Sequence, residues 1–281
     1  MSELTAYFRP VLPSRRWWFF AVVLVSLFLM GFYTVTDPAR LAHSPILEGA
    51  DYAGYALCHR ITGRSFTIAG RQFPLCARCT GMYLGIALSF LVVALAGRLR
   101  RADLPPLRVL LLLGLFVGLM GIDGLNSYSH FFPEAPHLYQ PRNWLRLVTG
   151  TGTGLAMGLV LLPVLAQTLW HAPQWQAPVT SLREFGGLLL LATALIVLLL
   201  RNHPALSYVL AIVSAAGVIL ILSALNALLL LLILRRDGRA RRWSEVARPL
   251  LVGLVFALLQ LGTISAVRFA LTGTMTGFPG L

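Results

Sequence analysis

Between Leu206 and Leu234 the chain carries no charged side chain. At about 1.5 Å of rise per residue, a helix of that length exceeds the roughly 30 Å hydrocarbon core of a bilayer. Six further stretches are predominantly apolar: about 16–33, 80–95, 107–126, 142–169, 185–200 and 249–270. Backbone polar groups in lipid must be satisfied internally, so such stretches read as helices. The expected fold is therefore an all-α polytopic membrane protein with about seven transmembrane helices. Composition agrees: 12% of residues are charged and 57% hydrophobic, whereas soluble domains carry roughly 25% charged residues.

All 23 basic residues are arginine. They flank the apolar stretches instead of forming one stripe, which argues against nucleic acid as a partner and for membrane lipids. With the N-terminus inside, 14 of the 23 fall on the inner side, among them Arg98, Arg100, Arg101, Arg235, Arg236, Arg239, Arg241 and Arg242. The positive-inside rule then predicts a cytoplasmic N-terminus, with the C-terminus and the long loop over 37–78 outside the cytoplasm. The first stretch ends in Tyr33-Thr34-Val35-Thr36-Asp37-Pro38 with no clear small-x-small cleavage site, and is expected to be a retained anchor. One membrane domain over 1–281 is the simplest division.

The polar loop concentrates the chemistry. All three cysteines, Cys58, Cys76 and Cys79, lie within 22 residues, and His59 adjoins the first. Two thiols in Cys-x-x-Cys spacing, with a Cys-His pair upstream, form a donor set that zinc prefers. Cys58, His59, Cys76 and Cys79 are the candidate ligands. An oxidised or redox-active Cys76–Cys79 pair, and inert buried thiols, stay open beside it. Thr80, not histidine, follows Cys79, so no haem is expected, and no nucleotide cofactor is predicted. Tyr52, Tyr55 and Leu57 suit a short interfacial helix ahead of Cys58.

The same topology brings the Asp123 end of the third span and the Asn143 end of the fourth to the cysteine side. Asp123 shares a helical face with Asn126. An ionised carboxylate there is costly unless paired, wet or protonated. It is expected either to pair with Arg78 or Arg146, or to serve as general base, water-orienting group or metal ligand. Arg64, Arg78 and Arg146 offer forks for phosphate or carboxylate, or act as interfacial anchors. His59 is a ligand, a proton-transfer group or a loop hydrogen-bonder. Thr80, Tyr83, Asn126 and Asn143 are candidate substrate contacts. His130 and His137 are possible ligands from the outer loop. Gly81, Gly85 and Gly150 are placed for close helix approach.

The series Cys58-His59, Arg64-Ser65-Phe66, Gly70, Pro74-Leu75-Cys76-Ala77-Arg78-Cys79-Thr80-Gly81 and Tyr83-Leu84-Gly85, with Asp123-Gly124 and Asn143-Trp144-Leu145-Arg146, resembles a family of bacterial and archaeal membrane proteins defined by a domain of unknown function. The resemblance covers roughly 50–160 and leaves the helices over 185–270 as an addition. It implies a prokaryotic cytoplasmic membrane and one compact unit uniting the cysteine loop, Asp123 and Asn143/Arg146. The residues themselves favour a metal-dependent membrane enzyme, with zinc as the ion and an amphipathic lipid or isoprenoid phosphate as substrate. Asp123, His59, Arg78 and Arg146 would carry the chemistry. A zinc-stabilised transporter or assembly subunit, and a thiol-disulfide redox protein, are the competing readings.

Overall fold

A computed structural model describes residues 37–132, 134 and 136–275. The expected first span lies outside the described residues. The described residues form a helical bundle with one small hairpin. Two short helices, α1 (Pro38–Ala42) and α2 (Pro45–Leu57), lead into strands β1 (Ser65–Ile68) and β2 (Arg71–Cys76). Six long helices follow: α3 (Ala77–Leu95), α4 (Leu107–Ser129), α5 (Asn143–Leu169), α6 (Leu182–Leu200), α7 (Pro204–Ile233) and α8 (Trp243–Thr272). Each of the six is long and apolar enough to cross a membrane. The protein is a polytopic membrane protein, and apolar side chains such as Leu111, Leu115, Leu251 and Leu259 face outward where lipid would lie.

The interior is organised around α3 and α5, whose small residues remove the usual spacing between helices. A Cβ on Gly81 or Gly85 would come within 2.4 Å of the carbonyl oxygens of Leu147 and Thr151. In the other direction, Cβ atoms on Gly150 and Gly154 would come within 2.2 and 2.0 Å of the Arg78 and Met82 oxygens. Bilayer helices associate through such close van der Waals contact, because lipid tails are as apolar as the side chains they would displace. Val109 and Leu113 of α4 and Phe185, Leu188 and Ala192 of α6 then pack on Leu155 and Leu159 of α5. Tyr83 and Ile86 of α3 meet Val218 and Ile221 of α7.

Polar contacts gather at the two ends of the bundle. At one end Arg78 of α3 meets Asp123 of α4, Asn143 of α5 reaches the hairpin, and Arg268 of α8 reaches the end of α2. At the other, Arg98 makes a two-pronged pair with Glu184 at 2.8 Å, and the Trp170 and Ala240 backbones join. The cysteine end is therefore separated from the arginine-rich end by the length of the helices. Helix α2 stands where a short interfacial helix is expected ahead of Cys58, and the hairpin replaces what the sequence leaves as irregular loop. Both residues of the hairpin turn, Ala69 (φ 47°) and Gly70 (φ 84°), are left-handed, as two-residue hairpins require.

Candidate metal centre

The three thiols are assembled by three separate terminations. Helix α2 starts on the Ser44 side chain, which accepts the Leu47 N–H at 3.2 Å, and ends at Cys58, whose N–H donates to Gly54 O at 2.8 Å. Gly54 does a second job. A Cβ there would lie 1.9 Å from Pro74 O, so only glycine lets β2 pass this close. Beyond Cys58 the chain reverses through Arg60, a left-handed residue (φ 49°). That turn is held by Asp51, which accepts from Arg60 at 2.9 Å and Arg71 at 2.7 Å, and by Gln72 Nε2 donating to Arg60 O at 2.8 Å. The hairpin then returns the chain so that β2 ends at Cys76, opposite Ser65. Cys76 caps α3 and Cys79 sits in its first turn, where backbone N–H groups lack helical partners.

The three Sγ atoms lie within 4.8 Å of one another. Cys58 and Cys76 are buried, Cys79 is partly exposed, and all three are free thiols. Tetrahedral coordination with metal–sulfur distances near 2.3 Å puts neighbouring sulfurs about 3.8 Å apart. The cluster is close enough to that spacing to hold a metal ion. Its electrostatics point the same way. Hydrogen bonds from the Cys76 and Cys79 thiols hold the Cys58 thiol far below its ordinary range, while the bond to Cys58 pushes Cys76 up to about 11. The Cys76 N–H also donates to Cys58 Sγ at 3.2 Å, a bond that favours thiolate.

His59 lies outside this three-thiol group. Its Nδ1 accepts the Ile61 N–H at 3.0 Å, and burial lowers its pKa, with Arg64, Arg78 and Arg146 adding to the effect. A neutral ring that accepts at Nδ1 carries its proton on Nε2. Asp123 is also outside the thiol group and is almost wholly buried. Arg78 Nε donates to its Oδ2 at 3.0 Å, Arg78 NH2 forms a second, shorter bond to that oxygen, and Tyr139 Oη donates to Oδ1 at 2.9 Å. Of the two arginines offered as its partner, Arg78 makes the pair. Burial and this bond push the Tyr139 phenol up to about 12, so it stays a donor. Asn126 faces the segment after α4, taking the Leu138 N–H and donating to Tyr139 O, both at 2.8 Å. It sets Tyr139 over Asp123.

Arg146 is only 6% exposed, and among the described residues it pairs with no carboxylate. Its NH1 donates to Asn143 Oδ1 at 2.8 Å and its Nε has no partner. Asn143 in turn donates to Gly63 O and Ser65 O at 3.3 and 3.4 Å, tying α5 to the hairpin. Arg64 donates to Ser127 O at 3.1 Å and lies 4.0 Å over the Phe131 ring. A cavity of about 520 Å³ is lined by His59, Arg64, Arg78, Ser127, Phe131 and Phe132. Thr80 and Tyr83 do not line it. Thr80 is fully buried and donates to Leu75 O at 3.3 Å, and Tyr83 packs against α7. His130 and His137 stack on each other with centroids 3.9 Å apart, away from the thiols.

Two contributors are absent from the sequence reading. Tyr139 follows a proline-bearing loop and gives no local sign of its target. Arg268 of α8 donates to Tyr55 O at 2.5 Å and Cys58 O at 2.6 Å, and stands 4.2 Å over the Tyr55 ring. A cation there meets the free carbonyls and negative dipole end of α2. A second cavity, of about 700 Å³, opens between Cys58, His59 and this helix.

Residues 58–160 match the family described as predicted membrane protein (DUF2085). A protein of Methanothermobacter thermautotrophicus is 34% identical over 115 residues, which are 41% of this chain and 92% of that protein. The chain belongs to this family. A second relative, from Methanocaldococcus jannaschii, is 28% identical over 120 residues, 42% of this chain and 70% of its own length. Both are described only as uncharacterized proteins. No solved structure matches. The family stretch holds the three thiols, α3, α4 and most of α5. Arg268 and helices α6 to α8 lie outside it.

Proposed function

We propose that the protein is a zinc-dependent membrane enzyme acting on an amphipathic phosphate, such as a lipid or isoprenoid phosphate. Cys58, Cys76 and Cys79 would hold the ion and leave a fourth position open. An ion so held supplies Lewis acidity and lowers the pKa of bound water. The observation that carries the substrate class is Arg146, a buried cation with no carboxylate partner beside the thiol cluster. Arg64, Arg78 and Arg146 bring three positive charges and Asp123 one negative. Three thiolates around a divalent ion would add one more negative charge, and the site would still favour an anion.

Within this reading Arg64, in the wall of the 520 Å³ cavity, binds the phosphate oxygens, and Arg146, buried outside that wall, adds its charge. The Nε2–H of His59, which borders the same cavity, donates to the substrate or to the leaving oxygen. Phe131 and Phe132 accept the first carbons of the chain. Asp123 acts by fixing Arg78. The arginine distribution supports an extracytoplasmic position for the whole site.

The test uses full-length protein purified without added metal. Elemental analysis should find close to one zinc per chain, lost on Cys76→Ser with Cys79→Ser. A panel of lipid and prenyl phosphates should then be turned over by wild type and not by Arg146→Gln. Zinc that is present without turnover or phosphate binding would leave a structural site and end the enzyme reading. A metal-free protein with a quantitative Cys76–Cys79 disulfide would end the metal reading.

A further inference from the structure

At the end of the bundle opposite the thiols, a second ligand site is built from two adjoining cavities. The first, of about 720 Å³, lies among α3, α5, α7 and α8 and has an almost wholly apolar wall, including Phe90, Leu162, Leu165, Leu220 and Leu254. Its size is within the range of about 300–1,000 Å³ typical of small-molecule sites. The second, of about 550 Å³, is lined by Arg236, Arg239, Arg241 and Arg248, with Glu245 as the acid of its wall. Leu169 borders both cavities, so the apolar space and the basic space meet at the end of α5.

Charge and interface chemistry agree on what would fill them. Among the described residues, no ion pair joins the four arginines to a carboxylate. Glu245 spends Oε2 on the Arg241 backbone N–H at 2.7 Å, and Arg239 NH2 reaches only the Arg235 carbonyl at 3.0 Å. Where the cavities meet, Trp170 and Trp243 pack edge to face at 4.7 Å, and Arg100 stands 4.3 Å over the Trp170 ring. Tryptophan and arginine at a helix end mark headgroup depth in a bilayer. An apolar chamber inside that line and a cationic one outside it divide a ligand into a hydrocarbon chain and an anionic head.

We propose that this end of the protein binds an anionic phospholipid, its chain in the apolar cavity and its phosphate on Arg236, Arg239, Arg241 and Arg248. The site is independent of the thiol cluster and of any reaction there. It differs from ordinary annular contact in having a recess among α3, α5, α7 and α8 for the chain. Four arginines converging on one head also give a lipid preference that weakens with salt.

The experiment is native mass spectrometry of the full chain with phosphatidylglycerol or phosphatidylcholine added at 50 and 500 mM volatile salt (roughly threefold different screening lengths). Phosphatidylglycerol should bind at least tenfold tighter at low salt and lose most of that margin at high salt. Equal retention of both lipids by wild type would overturn the proposal without any variant. The joint change Arg236→Gln, Arg239→Gln, Arg241→Gln and Arg248→Gln should abolish the preference, and Ala216→Trp, which fills the apolar cavity, should weaken both lipids. Unchanged binding after Ala216→Trp would mean that heads bind on the surface only, and overturn the chain's place in the apolar recess. A photo-crosslinker at position 216 should capture lipid. Capture of residues 17–33 instead would show the cavity filled by the chain's own first apolar stretch, and also overturn it.

Discussion

Replacing Asp123 by Asn tests whether this carboxylate anchors Arg78 or moves a proton. The side chain is 1% exposed and Arg78 18% exposed, so water does little to screen the pair. Asn keeps the shape and one acceptor oxygen but removes the charge, and the Arg78 guanidinium is left buried without its counter-ion. Breaking a buried pair from one side costs about 3–5 kcal/mol. At about 2–4 °C per kcal/mol for a chain of this size, the unfolding midpoint should fall by roughly 6–20 °C. The assay is tryptophan-fluorescence melting in detergent of wild type, Asp123→Asn, Arg78→Gln and the double variant. The double variant should lose much less than the sum of the singles, because each single strands the other partner. An unchanged midpoint for Asp123→Asn, or singles that add to within about 0.5 kcal/mol, would refute the anchoring role. An Asp123 that is a proton-transfer group instead would give an inactive variant with a wild-type melt.

Three further changes probe the frame around the thiols. Gly150→Val should prevent the α3–α5 contact, since even a Cβ lies 2.2 Å from Arg78 O; the measurement is monodisperse yield, with Gly186→Ala, where nothing lies within 4 Å, as the tolerated control. Arg268→Gln should weaken metal affinity by roughly 10–100-fold, the usual effect of removing a group that orients a ligand, read by competition with a chromophoric chelator. Ala69→Gly relieves a left-handed non-glycine residue at the hairpin turn (φ 47°) and should raise the melting point by the equivalent of about 1 kcal/mol.

The spans were readable because their signal is length, and length does not depend on neighbours. The gathering of Cys76, Asp123 and Asn143 at one end of the bundle follows from counting spans. Boundaries were less readable. Helix α3 begins at Ala77, the earlier of the two starts that the sequence allows about Thr80, because Cys76 takes the capping position at the end of a strand, and that strand carries no alternation to announce it: Arg71-Gln72-Phe73-Pro74-Leu75-Cys76 has polar residues first and a proline within. The hairpin turn is Ala69-Gly70 and lacks the Asn-Gly or Asp-Gly signature that marks such turns. Helix α8 starts at Trp243 and runs through Pro249, which from sequence reads as a start. Asn126 shares a helical face with Asp123, yet its amide is turned to a backbone twelve residues on. Helical spacing gives the face and not the rotamer. Arg268 gives no sign of its target in the sequence, and only the packing of α2 on α8 reveals the carbonyls it meets.

That last contact changes how the chain's extra length is understood. The family stretch begins at Cys58 and contains every thiol, so the cluster looks self-sufficient. Its first thiol, however, is on the residue that caps α2, and among the described residues of 58–160 no side chain donates to the Tyr55 or Cys58 carbonyls; Arg268 does. Tyr55 adds a second tie through Thr272 at 2.8 Å. Helix α8 therefore acts on the centre through backbone geometry, without offering a ligand of its own. If that is its contribution, Arg268→Gln will loosen the ion while the number of thiols available to a reagent, after chelation, stays at three. A loss of both would mean that α2 has come away altogether, and that α8 holds the fold of this end and not the position of one sulfur.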